Sequence, residues 1–443
     1  MTVARGGGGP GLVAQLLAAR RSWHLILLRA LLDGARDVGH PDAAAVRDAY
    51  QTLADLQGAV PGAVRAVLDD PLVGSWAMRV VRHLHSARPL LARPADLGLV
   101  TVAAAVRGRV ETTLDLSRTT QVDGLALPTL GTAHTDSAVW GMTEIRTRST
   151  GCDLISGHLR VQVPDEAGCR TPRWSGVPWV SVTAKGLRWS FRLDHSRVPE
   201  AGGARLDDLG RSAVFDQWHH ALTAGWSNLV MRHQQVASEV SGAVSVIVPL
   251  AGAAPVSATP ADALGAVAVS GPPGGTALAA TLAHEIQHLK LAGLNRLVPM
   301  VQAGSRAVGY APWRDDPRPV AGLLHGAYAH LGVAGYWRRE RRHAHGNAAL
   351  NAHTEFARWR QAAGDVARRL AVCQHLTPAG RLFSAEMTLT LDRWIDEPVP
   401  AKAASAADEL LRRHRALWDA AQWEPPVVRG RDGSKAERDG LGA

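Results

Sequence analysis

Apolar residues recur at three- and four-residue spacing from Leu12 to about Arg93, through LVAQLLAARRSWHLILLRALLDGAR, PDAAAVRDAYQTLADLQ, GAVRAVLDD and SWAMRVVRHLHSA. That period predicts amphipathic helices, with Pro41 and Pro61 at helix starts. Near Leu99 the pattern shortens. LVTVAAAVRG, RVETTLDLS, LALPTLGT, HLRVQVP, WVSVTA and LRWSFRLD are short, β-rich and divided by Gly, Pro or Asp, as strands of a mainly antiparallel region would be. Helical spacing returns in DDLGRSAVFDQWHHALTAGWSNLVMRHQQVASEVSG, and AVSVIVPLAG and GAVAVSG then read as buried strands. TALAATLAHEIQHLKLAGLNRLVP predicts one helix, with Thr276 as N-cap and Pro299 as its stop. VAGLLHGAYAHLGVAGYWRRERRHAH predicts a second, beyond the loop GYAPWRDDPRP, and AALNAHTEFARWRQAAGDVARRLAVCQHL and GRLFSAEMTLTLDRWIDE two more.

The expected fold class is α+β: a helical N-terminal part, a central mainly antiparallel β region and a C-terminal helical part. The expected division is a disordered 1–10, helices over 11–95, β structure over 96–205, helices over 206–424 and a disordered tail over 425–443.

With 443 residues, 46% hydrophobic and 20% charged, the chain has the length for several cores and an ordinary globular balance. The net charge is +9, carried almost wholly by Arg, since the lysines are only Lys185, Lys290, Lys402 and Lys435. Frequent Ala and Gly beside Arg fit coding bias, and no basic patch is interleaved with aromatics, so a nucleic-acid partner is not expected. Cys152, Cys169 and Cys373 are an odd number with no C-x-x-C pair, which suits a reducing cytoplasm. MTVARGGGGPG lacks the apolar core of a signal peptide. Arg20, Arg21, His24 and Arg29 interrupt the run from Leu12 to Leu32, so no membrane span is expected.

The candidate chemistry lies in TLAHEIQHLK. His284, Glu285 and His288 form H-E-x-x-H, and positions four apart on a helix bring two imidazoles to one ion. A zinc peptidase needs a third ligand, but no Glu occurs between His288 and Glu340. The extended motif H-E-x-x-H-x-x-G-x-x-H fails too, because Leu291 and Leu294 occupy its Gly and His positions. His330 lies on the next helix beside Gly326, Ala327 and Ala334, where another helix could approach closely. It is the expected third ligand, with His325, Asp315 and Asp316 as competitors. Imidazoles with open positions suit non-haem Fe(II). Arg314 and Arg318 lie in the stiff loop APWRDDPRP, where a guanidinium could grip a carboxylate.

From SATPADALGAVAVS through the histidine motif to YAPWRDDPRPVAGLLHGAYAHLGVAGYW, the sequence resembles the 2-oxoglutarate-dependent HExxH-type peptide β-hydroxylases of ribosomal peptide natural-product clusters. The match is close over roughly residues 250–340 and broad elsewhere. The resemblance implies a cytoplasmic enzyme that binds Fe(II) and 2-oxoglutarate, with zinc as a substitute ion. It would hydroxylate the β-carbon of a residue in a precursor peptide, beside or fused to a radical-SAM maturase. His284 and His288 would hold iron, Glu285 would be a hydrogen-bonding member of the site, and Arg314 or Arg318 would bind the far carboxylate of 2-oxoglutarate. The other readings are a zinc metallopeptidase and a peptide-binding scaffold.

Overall fold

The computed structural model describes residues 2–84, 86, 93–121, 124–135, 140–194, 204–205, 212–251, 257–272 and 274–421. The architecture is α+β, with helices at both ends and mainly antiparallel sheets between them. α1 (Gly9–Asp37), α2 (Ala43–Ala59), α3 (Pro61–Leu68) and α4 (Pro71–Leu84) form the N-terminal helices. Pro61 and Pro71 start α3 and α4, positions where a missing N–H loses no helical bond. Pro41 lies in the turn just before α2.

α5 (Leu97–Gly108) departs from expectation: LVTVAAAVRG is a helix, not a strand. Every residue from Leu97 to Val106 is buried, so its apolar positions show no period from which the element type could be read. Three consecutive alanines favour the helix, which satisfies its backbone without a neighbouring strand.

The chain continues through β1 (Thr112–Asp115), β2 (Leu125–Leu127), β3 (Gly131–Ala133), β4 (Met142–Arg148), β5 (Gly151–Ser156), β6 (Leu159–Val163), β7 (Arg170–Thr171) and β8 (Trp174–Gly176). These make two antiparallel sheets, ordered β1-β4-β5-β6 and β2-β3-β8-β7. β6 alternates cleanly, with Leu159, Val161 and Val163 inward and Arg160 and Gln162 outward.

β9 (Trp179–Ala184), β10 (Leu187–Leu193), β11 (Ala204–Arg205), α6 (Ser212–Arg232), α7 (Gln234–Ala243), β12 (Val246–Ala251), β13 (Ser257–Ala258) and β14 (Ala266–Ser270) follow. Their mixed sheet runs β13-β14-β12-β10-β9, with β12 parallel to both β10 and β14 and paired with β11 at its end. This sheet straddles position 205, where the sequence pattern placed a boundary. The cores divide earlier. One cluster runs from Leu27 to Trp174, and a second joins Val180, Trp189 and Phe191 to Trp218, Trp226 and Ile286.

α8 (Gly275–Leu297), β15 (Val308–Gly309), β16 (Arg318–Pro319), α9 (Val320–Glu340), α10 (Gly346–Ala371), α11 (Pro378–Ile395) and α12 (Ala401–Ala420) complete the fold. Thr276 is not the N-cap of α8. Gly274 holds that position without a side-chain bond, and the Thr276 carbonyl accepts from the Tyr336 hydroxyl at 3.2 Å. Residues 2–8 are packed rather than disordered, because their backbone meets buried polar groups. The Tyr328 hydroxyl donates to Val3 O at 2.6 Å, and the Lys290 ammonium donates to Gly6 O and Gly7 O at 3.1 and 3.2 Å. The expected disordered tail lies outside the described residues. Among those described, no helix is long and apolar enough to cross a membrane, and all three cysteines are free thiols.

Candidate metal centre

α8 rests its Leu278, Leu282 and Ile286 on the mixed sheet and turns His284 and His288 toward α9. The two helices meet at Gly332. A Cβ at that position would stand 2.6 Å from both Ala283 O and Gln287 Cγ, so only glycine permits the approach. Gly326 has a different role from the one expected: it makes room for the Trp313 ring, which a Cβ would meet at 2.4 Å.

The crossing assembles four imidazoles. The Nε2 atoms of His284 and His288 are 3.0 Å apart. The His330 ring centre lies 5.0 Å from that of His284, nearly perpendicular at 85°. His325 stacks against His288 with ring centres 5.8 Å apart.

His330 is the most firmly held. Its ring stacks on Trp313 at 4.6 Å and packs on Trp359 at 4.4 Å. Its Nδ1 contacts Gly326 O at 2.8 Å. A carbonyl only accepts, so Nδ1 carries the proton and Nε2 keeps its lone pair, the tautomer of a metal-ligating histidine.

Burial holds all four rings toward the neutral form. His288 and His330 fall well below the usual imidazole range, and neighbouring imidazoles push His288 further. Burial brings His325 down to about 4. His284 is lowered by burial as well, against the opposing pull of Glu285. Neutral imidazole is the form that binds a metal.

Glu285 is 1% exposed and sets its Oε1 4.0 Å from His284 Nε2. Its Oε1 accepts from the Ser257 hydroxyl at 2.6 Å, whereas Oε2 has no hydrogen-bond partner among the described residues. A buried carboxylate oxygen without a donor, on the residue next to His284, is a place for bound water or a ligand proton.

Among the described residues, no three His, Cys, Asp or Glu side chains form a complete metal-binding group. The His284–His288 pair nonetheless has the spacing that two ligands of one divalent ion require. Two nitrogens each about 2.1 Å from one ion and at right angles to it lie about 3 Å apart, the spacing of the His284 and His288 Nε2 atoms. Neutral histidines on two helices, one with its tautomer fixed, are borderline ligands suited to iron or zinc.

The carboxylate competitors are placed elsewhere. Asp315 is fully exposed and faces His414 at 3.6 Å. Asp316 accepts from Arg314 at 2.8 Å and Arg318 at 3.3 Å, and the Arg314 hydrogen bond holds its carboxyl below the usual range. Both candidate carboxylate-binding arginines are thus tied to their own loop, and the Arg314 side chain is 54% exposed. Glu340 bonds Arg232 at 2.8 Å and His233 at 2.9 Å at the far end of α9. Ten residues of helix, about 15 Å, separate it from His330.

Sequence reasoning assigned no role to Trp359, and it used Trp313 only as a stiffener of its loop. Ser257 and Thr259 also went unassigned; the latter donates to Glu285 O at 3.4 Å. Nothing in WRQ or SAT signals such contacts, which depend on how distant elements cross. No protein-family model matches this chain, and no curated protein matches it.

Proposed function

We propose that the protein is a non-haem Fe(II)- and 2-oxoglutarate-dependent peptide β-hydroxylase. The observation that supports this reading best is the third imidazole. His330 comes from α9 with its tautomer fixed by Gly326 O, while Glu340, the carboxylate a second-helix zinc peptidase would need, is bound to Arg232 and His233. The precursor-peptide substrate, the radical-SAM companion and the cytoplasmic setting rest on the sequence resemblance.

On this reading His284, His288 and His330 hold the ion, and His325 lines the site behind His288. Iron with 2-oxoglutarate, when bound, supplies the oxidising chemistry: O2 is consumed, the keto acid becomes succinate and CO2, and a C–H bond becomes C–OH. The chain's own residues do the positioning. Trp313 and Trp359 fix the His330 ring and keep water from it. Glu285, anchored by Ser257, offers its second oxygen to a proton of a bound water or ligand.

A zinc hydrolase is the second reading, favoured by Glu285 at the second position of H-E-x-x-H, the residue such enzymes use as general base. Anaerobic loading with Fe(II) or Zn(II), followed by a 2-oxoglutarate turnover assay, separates the two. Iron-dependent succinate formation is expected. Zinc-dependent peptide cleavage without succinate overturns the oxygenase reading.

A further inference from the structure

A cavity of about 190 Å3 lies between the strap of residues 5–7, the start of α7 and the crossing of α8 with α9, and Trp394 of α11 adds a further wall. None of the four imidazoles of the candidate metal centre lines it. Its charge is one-sided: Arg5, Arg338 and Arg339 line it, and no Asp or Glu does. Arg5 and Arg338 each hold a carboxylate through Nε, Glu386 at 2.6 Å and Glu397 at 2.5 Å. Arg339 is exposed at the mouth, donates to the Arg232 carbonyl at 3.3 Å and pairs with no carboxylate among the described residues. Burial holds His233, on the same lining, toward its neutral form against the pull of Glu340, and the charges of Arg339 and Arg232 add to that effect.

The inner wall offers a neutral polar group. Gln287 of α8 is 2% exposed, and its Oε1 is sealed from solvent with no donor among the described residues. Gly332 of α9 makes room for this side chain, since a Cβ there would stand 2.6 Å from Gln287 Cγ and 3.2 Å from Nε2. A buried amide oxygen without a donor is costly and needs an explanation. The last torsion of a glutamine is soft and roughly two-fold, so either end of the amide can turn to a guest. Leu331 and Trp394 supply apolar surface between the amide and the arginines.

We infer that this cavity is a binding site for a small organic acid that carries an amide, of the class of N-acylated amino acids. The inference does not rest on the oxygenase reading, because the site lies apart from the histidines. The carboxylate goes to Arg339, whose planar guanidinium suits a two-oxygen grip and has no acid to give up. The amide goes to Gln287: its N–H donates to Oε1, and its carbonyl accepts from Nε2. A free α-amino acid is a poorer guest, because its ammonium would lie among three guanidiniums. Size limits the guest further. A cavity of roughly 150 Å3 holds benzene, so this one takes a molecule of roughly six to ten heavy atoms.

The experiment measures binding to the full chain by calorimetry, as purified and again after treatment with a chelator. The probes are N-acetylalanine, N-acetylalaninamide, which has the same number of heavy atoms but no charge, hexanoate, which has the charge but no amide, and inorganic phosphate. The wild type is expected to prefer N-acetylalanine over its amide by at least about tenfold, the scale of one charge-assisted pair. It should prefer N-acetylalanine over hexanoate by about threefold or more, the scale of neutral hydrogen bonds. Arg339→Gln should bring the first ratio close to one and leave the second. Gln287→Met, which keeps an unbranched side chain, should remove the second and leave the first. Arg415→Gln, whose guanidinium does not line the cavity, should change neither. Because each ratio is taken within one variant, a partly unfolded fraction cancels. Ratios that survive both cavity variants, or that fall in Arg415→Gln as well, overturn the assignment. So does a wild type that binds none of the probes, or one that binds N-acetylalanine and its amide alike. Phosphate bound more tightly than N-acetylalanine would make the cavity a plain anion hole and also overturns it. Binding that disappears with the chelator would move the acid to the metal centre, with the same consequence.

Discussion

His284, His288 and His330 differ in how firmly each is held, and their variants should differ accordingly. His284→Ala and His288→Ala each remove one nitrogen of the 3.0 Å pair and should abolish metal retention, measured by elemental analysis after anaerobic loading. His330→Ala should weaken it by at least about tenfold and not abolish it, because the 3.0 Å pair on α8 remains to hold the ion. Full occupancy in any of the three would remove that residue from the ligand set. Glu285→Gln should keep the metal, since its carboxylate bonds Ser257 and is not needed as a ligand. A second residue-scale prediction concerns pH and lies away from the site. His24 is 2% exposed, presents Nδ1–H to Leu68 O at 2.7 Å and leaves Nε2 without a partner. Burial lowers its pKa to about 4. The unfolded chain takes up this proton near pH 6.5, the folded one only near 4. Between those values the unfolded state holds more protons, so stability is full above about 6.5 and declines as pH falls toward 4, by up to about 3 kcal/mol. Denaturant midpoints across that range should show a steeper decline for the wild type than for His24→Leu. Parallel curves would mean that His24 contributes none of it.

At the scale of elements, the crossing of α8 and α9 makes the candidate site. Gly332→Ala would set a methyl 2.6 Å from the Ala283 carbonyl, which is backbone and cannot swing aside. The helices would have to part, at a cost of about 1–3 kcal/mol, and His330 would withdraw from His284. The expected result is a loss of both melting temperature and metal affinity. A Gly332→Ala protein with unchanged affinity would show that the crossing does not set the site. The sequence made α8 and α9 legible because the first carries a spacing motif and both carry helical periodicity between prolines. Gly332 was not legible as the contact point, since in LGVAGYW nothing marks which small residue faces a neighbour. α5 was misread for a related reason: when all sides are buried, helix and strand look alike in LVTVAAAV. The loop residue Trp313 was visible, but its stacking on His330 depends on Gly326 one turn earlier in α9, a pairing that only the fold discloses.

Across the whole molecule, the site is held by elements far apart in the chain, and this is why sequence alone could not place its outer parts. α8 contributes Leu282 and Ile286 to the sheet core and Leu291 to the C-terminal core, so the histidines sit on the helix where two cores join. α1 likewise gives Val13 to the sheet core and Leu27 and Leu31 to the N-terminal one. These unions converge at Lys290, two residues beyond His288. Its side chain is 0% exposed, and its ammonium donates to Glu239 of α7 at 2.7 Å and to the carbonyls of Gly6 and Gly7. Glu239 in turn accepts from the Gly9 amide at the start of α1, at 2.9 Å. Burial lowers the Lys290 pKa while Glu239 opposes it, and the three acceptors around Nζ match the three N–H donors of an ammonium. Lys290→Met would leave the Glu239 carboxylate buried and uncompensated and release residues 2–8 from α8. Breaking one side of a buried pair costs about 3–5 kcal/mol, whereas removing both charges costs far less. Lys290→Met should therefore unfold at much lower denaturant, and Lys290→Met with Glu239→Gln should recover a good part of the loss. The double variant should still bind metal less well than the wild type, because the strap over α8 no longer has its ammonium donor. A single variant that loses less than about 1 kcal/mol, or a double variant no better than the single, would show that the Lys290–Glu239 pair does not join the strap, α7 and the histidine helix into one unit.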